Sequence, residues 1–230
     1  MRKNQGAGKE GPERIGKPEE KSPLFEYIRY TEFKRLLGQI TATLDAGKLK
    51  TVAVLSEHPG EGKTFFVSAL ALGYSVLLNK RVLIVNTTSQ PTNRELLHRN
   101  VFQKEAETMS QPGQIVPVSR TIDLLSPFHD EEGRVEESSD FQMGQYIRSV
   151  QDTYDLVIFD TCAMSASNAD HMDPIIIARQ VDTSILLFSD RSLSREALPS
   201  IRDKLAQWSV RLMGMVYNTG GPWSKKREAE

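Results

Sequence analysis

The sequence predicts an α/β fold, a doubly wound and mostly parallel sheet, and two observations support this prediction. Short apolar runs rich in β-branched residues show little alternation between apolar and polar positions, which is typical of strands buried on both faces. Five such runs occur, at 51–56, 81–85, 155–159, 183–188 and 212–217. Stretches compatible with helices lie between them, at 63–79, 140–153 and 194–208. Because strands and helices alternate as βαβ crossovers require, we expect a three-layer sandwich with the sheet in the middle.

Composition restricts the classes of function. The chain has 230 residues, 39% of them hydrophobic, and its 29 basic and 30 acidic side chains give a net charge of −1. This balance suits one soluble domain and argues against binding nucleic acid through overall charge, although a local basic patch is compatible with it. We expect a folded domain over residues 23–222, between a disordered N-terminal arm over 1–22 and a short polar tail over 223–230. Both ends are rich in charged residues, which is typical of mobile segments.

Cysteine content and hydropathy favour a cytoplasmic protein. Cys162 is the only cysteine, so the chain cannot form an internal disulfide. Residues 1–22 contain no apolar stretch of the kind found in secretory signals. The most apolar segment, 65–78, is shorter than the ~20 residues that a membrane-spanning helix needs, and we predict a buried helix there.

The segment 56–64, SEHPGEGKT, joins the first predicted strand to the first predicted helix. A loop in this position can direct several backbone N–H groups at one point, where the helix dipole adds about half a positive charge and anions bind. Gly60 and Gly62 allow the backbone to approach phosphate closely, Lys63 can reach the β and γ phosphates, and the Thr64 hydroxyl can bind Mg²⁺. The predicted nucleotide-binding residues of this loop are Pro59, Gly60, Glu61, Gly62, Lys63, Thr64 and Phe65.

One position departs from the usual phosphate-loop pattern, G-x-x-x-x-G-K-[ST]. Glu57 stands where the pattern has its first glycine. The order of strand, loop and helix compensates for this departure, so nucleotide binding remains the favoured interpretation. A glycine-rich turn that carries an exposed lysine is the alternative.

The motif Ser-x-x-Pro-Gly-Glu-Gly-Lys-Thr resembles the Walker A loop of the bacterial tyrosine kinases (BY-kinases) that accompany capsule and exopolysaccharide assembly. These kinases are similar to a wider class of P-loop NTPases, the septum- and chromosome-positioning ATPases. In that class a signature lysine stands five residues before the loop lysine, where this chain has His58. BY-kinases also lack the signature lysine, so the chain resembles them more closely.

Further motifs follow in the family's order over residues 26–219. Residues 154–161, YDLVIFDT, resemble the Walker B strand, with Cys162 at the position of the family's proline. The resemblance implies that Asp160 acts with Lys63 in catalysis and binds Mg²⁺ with Thr64; the alternatives for Asp160 are a strand-edge cap or a salt bridge. It also implies that Asn218, in GMVYN, contacts adenine, although this residue could merely end its strand.

The resemblance implies ATP and Mg²⁺ as cofactors and phosphoryl transfer to protein tyrosine as the activity. It further implies a role in exopolysaccharide or capsule biosynthesis and a membrane-bound partner of the polysaccharide co-polymerase type, which recruits the chain to the inner face of the membrane. Residues 32–36 resemble the family's oligomerisation helix, so a homo-oligomer is also expected, although Gly38 stands where that motif has its last arginine.

Two features depart from the family where catalysis is concerned. The second carboxylate motif, Walker A′, resembles a strand followed by Asp-x-Asp, and this chain has Asn86 and Thr88 at those positions. An amide accepts a hydrogen bond but cannot take a proton, and Mg²⁺ prefers carboxylates. The residues after Asn218 contain no tyrosine, whereas BY-kinases usually phosphorylate a cluster of tyrosines at the C-terminus.

Three hypotheses follow from these matches and departures. The first is a BY-kinase-like enzyme, or a weak ATPase, that works without the usual acids. The second is a regulatory module that senses nucleotide and transfers nothing. The third, a positioning-type ATPase, is the least favoured because His58 replaces the signature lysine.

Overall fold

The computed structural model describes residues 22–88, 114–125, 139–166, 171–189 and 197–219. Six α-helices lie in these ranges: α1 (Pro23–Tyr27), α2 (Thr31–Gly47), α3 (Lys63–Leu78), α4 (Ser139–Val150), α5 (Pro174–Gln180) and α6 (Ala197–Gln207). Seven strands accompany them: β1 (Thr51–Leu55), β2 (Val82–Asn86), β3 (Ile115–Pro117), β4 (Ile122–Leu125), β5 (Leu156–Asp160), β6 (Thr183–Ser189) and β7 (Leu212–Asn218).

The strands form one sheet in the order β3-β4-β2-β5-β1-β6-β7. All neighbouring strands run parallel except β3, which pairs antiparallel with β4. Strand β1 lies inside the sheet, and the chain leaves it in one direction to β2 and later in the other to β6 and β7, as doubly wound sheets do. The predicted fold class is therefore confirmed, and all five predicted strands are present.

The sheet also contains two strands that the sequence did not predict. Strand β4 joins β2 through the register Val82↔Ile122 to Val85↔Leu125, and β3 covers the outer side of β4. Residues Ile115–Pro117 form a strand because they gain backbone hydrogen bonds from the edge of β4. Apart from Ser22, the predicted arm over 1–22 lies outside the described residues, as does the predicted tail over 223–230. The domain bounds at 23 and 222 stay predictions.

Alternate side chains of the inner strands β1, β2 and β5 point to opposite helix layers. Val52 and Val54 of β1 pack into a core that includes α1, α2 and α3. Ala53 and Leu55, between and after them, pack into a second core with α4, α5 and α6. Burial of every β1 residue explains the uninterrupted apolar run in the sequence, since a strand covered on both faces has no solvent side.

Helix α3 is the central helix on its side of the sheet. Its residues 66–74 are all buried, which confirms the buried helix predicted for this apolar segment. Gly73 lets α2 pack closely, because a Cβ atom there would lie 3.0 Å from the ring of Phe33. Helix α2 turns an apolar stripe inward, with Phe33, Leu37, Ile40 and Leu44 at helical spacing. None of the described helices is both long and apolar enough to cross a membrane.

Candidate functional site

The loop between β1 and α3 has the backbone shape of an anion-binding loop. Gly60 and Gly62 have φ angles of 80° and 93°, in the left-handed region that residues with a Cβ atom rarely adopt. Gly62 is also the residue that caps the N-terminus of α3, a helix of 16 residues. The unpaired N–H groups of its first turn and the positive end of its dipole therefore face the loop, where an anion is favoured.

Lys63 is the first residue of α3, and its side chain lies back inside the loop. The residue is only 8% exposed. Its ammonium group donates to the hydroxyl of Ser56 at 2.5 Å, and Ser56 donates to the carbonyl oxygen of His58 at 2.9 Å. Burial lowers the pKa of Lys63, and the negative charges of Asp160 and Glu61 oppose that shift. A buried cation of this kind gains from the arrival of an anionic ligand.

Asp160 and Asn86 lie side by side at the carboxyl edge of the sheet. They are register partners at the ends of β5 and β2, and their exposed fractions are 3% and 2%. The Asn86 side-chain oxygen accepts from the backbone N–H of Thr88 at 3.1 Å and from its hydroxyl at 3.0 Å. The two predicted Walker A′ positions therefore bind each other, in a turn built by the amide itself.

The segment after β5 lies against the loop. The backbone N–H groups of Met164 and Ser165 donate to the carbonyl oxygens of Ser56 and Glu57 at 2.9 and 3.0 Å. Cys162, within this segment, is buried, and its thiol approaches the carbonyl oxygen of Met172 at 3.7 Å. These contacts bring Asp160 and the loop into one rigid edge, while Cys162 has the surroundings of an ordinary buried thiol.

Asn218 reaches the other side of the loop from the end of β7. Its side-chain nitrogen donates to the carbonyl oxygen of Glu61 at 2.9 Å. A Cβ atom on Gly62 would lie 2.5 Å from that nitrogen, so the glycine is needed for this contact as well as for its φ angle. The structure thus brings Asn218 to the predicted loop, and its contact with adenine stays a prediction.

Three predicted loop residues take different positions. Thr64 is half-buried in the first turn of α3, and Pro59 is exposed. The ring of Phe65 packs edge-on against Tyr27 of α1, with centroids 5.1 Å apart, so it supports the helix layer. The side-chain roles of Ser56 and Glu61 were not predicted, because a motif marks loop positions without fixing where their side chains point.

Metal ligands are sparse in the described part of the chain. No group of three or more His, Cys, Asp or Glu side chains there is arranged to hold a metal ion. His171 instead forms a backbone bridge with Thr88, beside the Walker A′ positions. A metal ion at this edge would therefore need ligands beyond the protein, such as phosphate oxygens and water.

Comparisons with known proteins agree with this geometry. No protein-family model matches the chain. Tyrosine-protein kinase YwqD of Bacillus subtilis is 26% identical over 190 residues, which are 79% of this chain and 76% of that kinase.

Solved structures show the same fold. The kinase domain of the Escherichia coli tyrosine kinase ETK superposes with a TM-score of 0.56 at 21% identity, over 78% of this chain and 72% of that one. The VpsO kinase domain has the same score and identity, over 83% of this chain and 98% of that one. The septum site-determining protein MinD of Pyrococcus horikoshii, solved with Mg-ADP, has a TM-score of 0.56 at 16% identity, over 75% of this chain and 71% of that one. The chain thus has the fold of the P-loop NTPases and is similar to bacterial tyrosine kinases.

Proposed function

We propose that the chain is an ATP-binding, BY-kinase-like protein that serves exopolysaccharide or capsule biosynthesis. The observation that carries this proposal is the loop of Gly60 and Gly62, with its left-handed backbone, joined to the N-terminus of α3 beside Lys63 and Asp160. The relative YwqD is named a tyrosine-protein kinase, and the similar MinD structure contains Mg-ADP. The nucleotide-binding domain spans residues 23–222.

The loop residues would hold the triphosphate of ATP. Backbone N–H groups of residues 60–64 and the dipole of α3 favour the phosphates, and Lys63 supplies a positive charge next to them. The ammonium group has three donors, so its hydrogen bond to Ser56 leaves donors for a phosphate oxygen. Asn218, which donates to the carbonyl oxygen of Glu61, would contact the adenine.

The donor atoms fit a bound Mg²⁺. The Thr64 hydroxyl and the Asp160 carboxylate are hard oxygen ligands, and Asp160 is nearly buried next to Lys63. Two such protein ligands suffice for a metal ion that keeps phosphate and water as its other ligands. The ion would neutralise charge on the transferred phosphoryl group, while Asp160 orients its ligand shell.

Asn86 is the weak point of an enzymatic reaction. The attacking hydroxyl must lose its proton during phosphoryl transfer, and an amide cannot take it. The hydrogen bonds of Asn86 to Thr88 show a side chain used for structure. This observation favours a second candidate function, a regulatory module that binds ATP or ADP, changes its affinity for a partner and transfers nothing. A positioning-type ATPase is less favoured, because His58 replaces the signature lysine.

The partner in either function is a membrane-bound protein of the polysaccharide co-polymerase type, which recruits this cytoplasmic chain to the membrane. A homo-oligomer would use the face of α2 formed by Glu32, Arg35 and Gly38. These three residues are exposed, so that face is accessible to a second copy.

The test uses the chain with γ-labelled ATP and Mg²⁺, reading label on protein and released phosphate separately. Asn86→Asp is the repair variant: aspartate keeps the acceptor for Thr88, and a second carboxylate next to Asp160 raises the pKa of one of the pair toward that of a useful base. Lys63→Met is the blank, and Asn79→Asp, at the exposed end of α3, is the matched control.

A kinase predicts Lys63-dependent label on protein in the unmodified chain. A sensor predicts that the unmodified chain binds nucleotide with no turnover above the Lys63→Met background, and that Asn86→Asp turns over about 10²-fold faster than that background, the contribution of a general base. If neither protein binds nucleotide, both candidate functions are wrong.

A further inference from the structure

The side chain of Glu61 points into the protein, although its residue stands in the middle of the phosphate loop. Glu61 is 2% exposed, whereas the preceding loop residues His58, Pro59 and Gly60 are exposed. A buried carboxylate is costly unless donors compensate it, and a negative charge beside a phosphate site repels the ligand. Contacts of Glu61 must therefore compensate for its burial and for its repulsion of the ligand.

The Glu61 carboxylate joins two distant parts of the backbone. One oxygen accepts from the backbone N–H of His58, at the start of the loop, at 3.1 Å. The other accepts from the backbone N–H of Ser189, at the end of β6 and 128 positions away in sequence, at 3.3 Å. Hydrogen bonds to an ionised acceptor are stronger than bonds between neutral groups, so these two contacts can hold the loop.

The main chain of Glu61 has a third anchor. Its carbonyl oxygen accepts from Asn218 at the end of β7. One residue thus connects the start of the loop to the ends of β6 and β7, directly before Gly62 and Lys63. Movement of the loop relative to the sheet would break at least one of these bonds.

We infer that Glu61 is a positioning residue, whose buried carboxylate braces the phosphate loop in its binding shape before a ligand arrives. The inference rests on the proposed function, since it assigns to this side chain the preorganisation of the same nucleotide site. A braced loop loses less conformational entropy when the ligand binds, and its affinity is correspondingly higher. The side chain acts through the backbone and does not contact the phosphates.

The test measures nucleotide affinity together with hydrogen exchange at the backbone N–H groups of His58 and Ser189, which donate to the Glu61 carboxylate. Glu61→Gln keeps one oxygen acceptor, and Glu61→Ala keeps none, so the variants form a graded series. Glu26→Gln, an exposed position in α1, is the matched control. Titration with a fluorescent ADP measures affinity, amide hydrogen exchange by NMR without nucleotide measures the brace at His58 and Ser189, and thermal unfolding verifies the fold.

The expected order of affinity is glutamate, glutamine, alanine, with a loss of about tenfold for Glu61→Gln and more for Glu61→Ala. Exchange at the two amides should rise in the same order, while the melting temperature changes little. Equal affinity and exchange in all folded variants would overturn the inference. If the unmodified chain fails to bind ADP, the proposed function is wrong, and unchanged amide exchange would then separately refute the brace.

Discussion

Substitution of the two loop glycines separates backbone strain from side-chain contact. Both glycines have φ angles in the left-handed region, at 80° for Gly60 and 93° for Gly62. They differ in surroundings, because a Cβ atom on Gly60 meets nothing within 4 Å, whereas one on Gly62 would lie 2.5 Å from the side-chain nitrogen of Asn218. Alanine at either position therefore pays for strain, and only alanine at 62 also displaces Asn218.

The expected costs follow from these two contributions. An alanine in the left-handed region costs about 1–2 kcal/mol. Displacement of Asn218 breaks its 2.9 Å hydrogen bond to the Glu61 carbonyl oxygen, and a net hydrogen bond is worth about 1 kcal/mol. Gly60→Ala should thus lower the free energy of unfolding by about 1–2 kcal/mol, and Gly62→Ala by about 2–3 kcal/mol.

Urea unfolding of both variants, of Asn218→Ala and of the double variant Gly62→Ala/Asn218→Ala completes a thermodynamic cycle. Because Gly62→Ala and Asn218→Ala remove the same hydrogen bond, the double variant should cost about 1 kcal/mol less than the sum of the single variants. Additive costs, or equal costs for the two glycines, would refute the role assigned to Asn218.

Two further substitutions test the buried charge of Lys63 and the hydrogen bonds that Asp182 accepts at the start of β1. Lys63→Met should stabilise the nucleotide-free chain near neutral pH, because burial lowers the pKa of Lys63 and so makes its protonated form costly in the folded state. As pH rises toward the ordinary lysine pKa, Lys63 keeps its proton longer in the unfolded chain than in the folded one, so the stability of the unmodified chain relative to Lys63→Met should increase with pH. Urea unfolding at several pH values measures this, and a constant difference in unfolding free energy between the two proteins would contradict it. Asp182→Ala should lower the free energy of unfolding by about 2–4 kcal/mol, because one Asp182 oxygen accepts from the backbone N–H groups of Lys50 and Thr51 at 2.8 and 2.9 Å. Asp182→Asn keeps an acceptor and should lower the free energy of unfolding clearly less. Equal losses of stability for the two variants would show that these two hydrogen bonds are not the cause.

The sequence was sufficient for the elements whose residues are buried on both sides. The apolar run of β1 and the helix α3 are long or uniform enough to be recognised, because burial dictates their composition. Strands β3 and β4 were not predicted, because strands of 3 and 4 residues are too short to show a periodic pattern. Asp123 also interrupts the apolar run of β4. Their place in the sheet depends on pairing with a distant strand.

The candidate site was predictable in its positions and unpredictable in its contacts. The motif placed Gly60, Gly62 and Lys63 on a loop before a helix. Asp160 and Asn86 were expected at the ends of two strands, and the structure shows that these strand ends pair. The bonds from Glu61 to Ser189 and from Asn218 to Glu61 join residues 128 and 157 positions apart, which only the folded sheet brings together. The hydrogen bond from Lys63 to Ser56 likewise depends on how the loop folds, which no pattern of residue types encodes.

Isothermal titration calorimetry of Mg-ATP into the folded chain measures whether the loop binds nucleotide. We expect one saturable site per chain in the unmodified protein and its loss in Lys63→Met, with the fold of the variant retained. Absence of binding to the unmodified chain, or equal affinity in Lys63→Met, would show that the loop is not a nucleotide site.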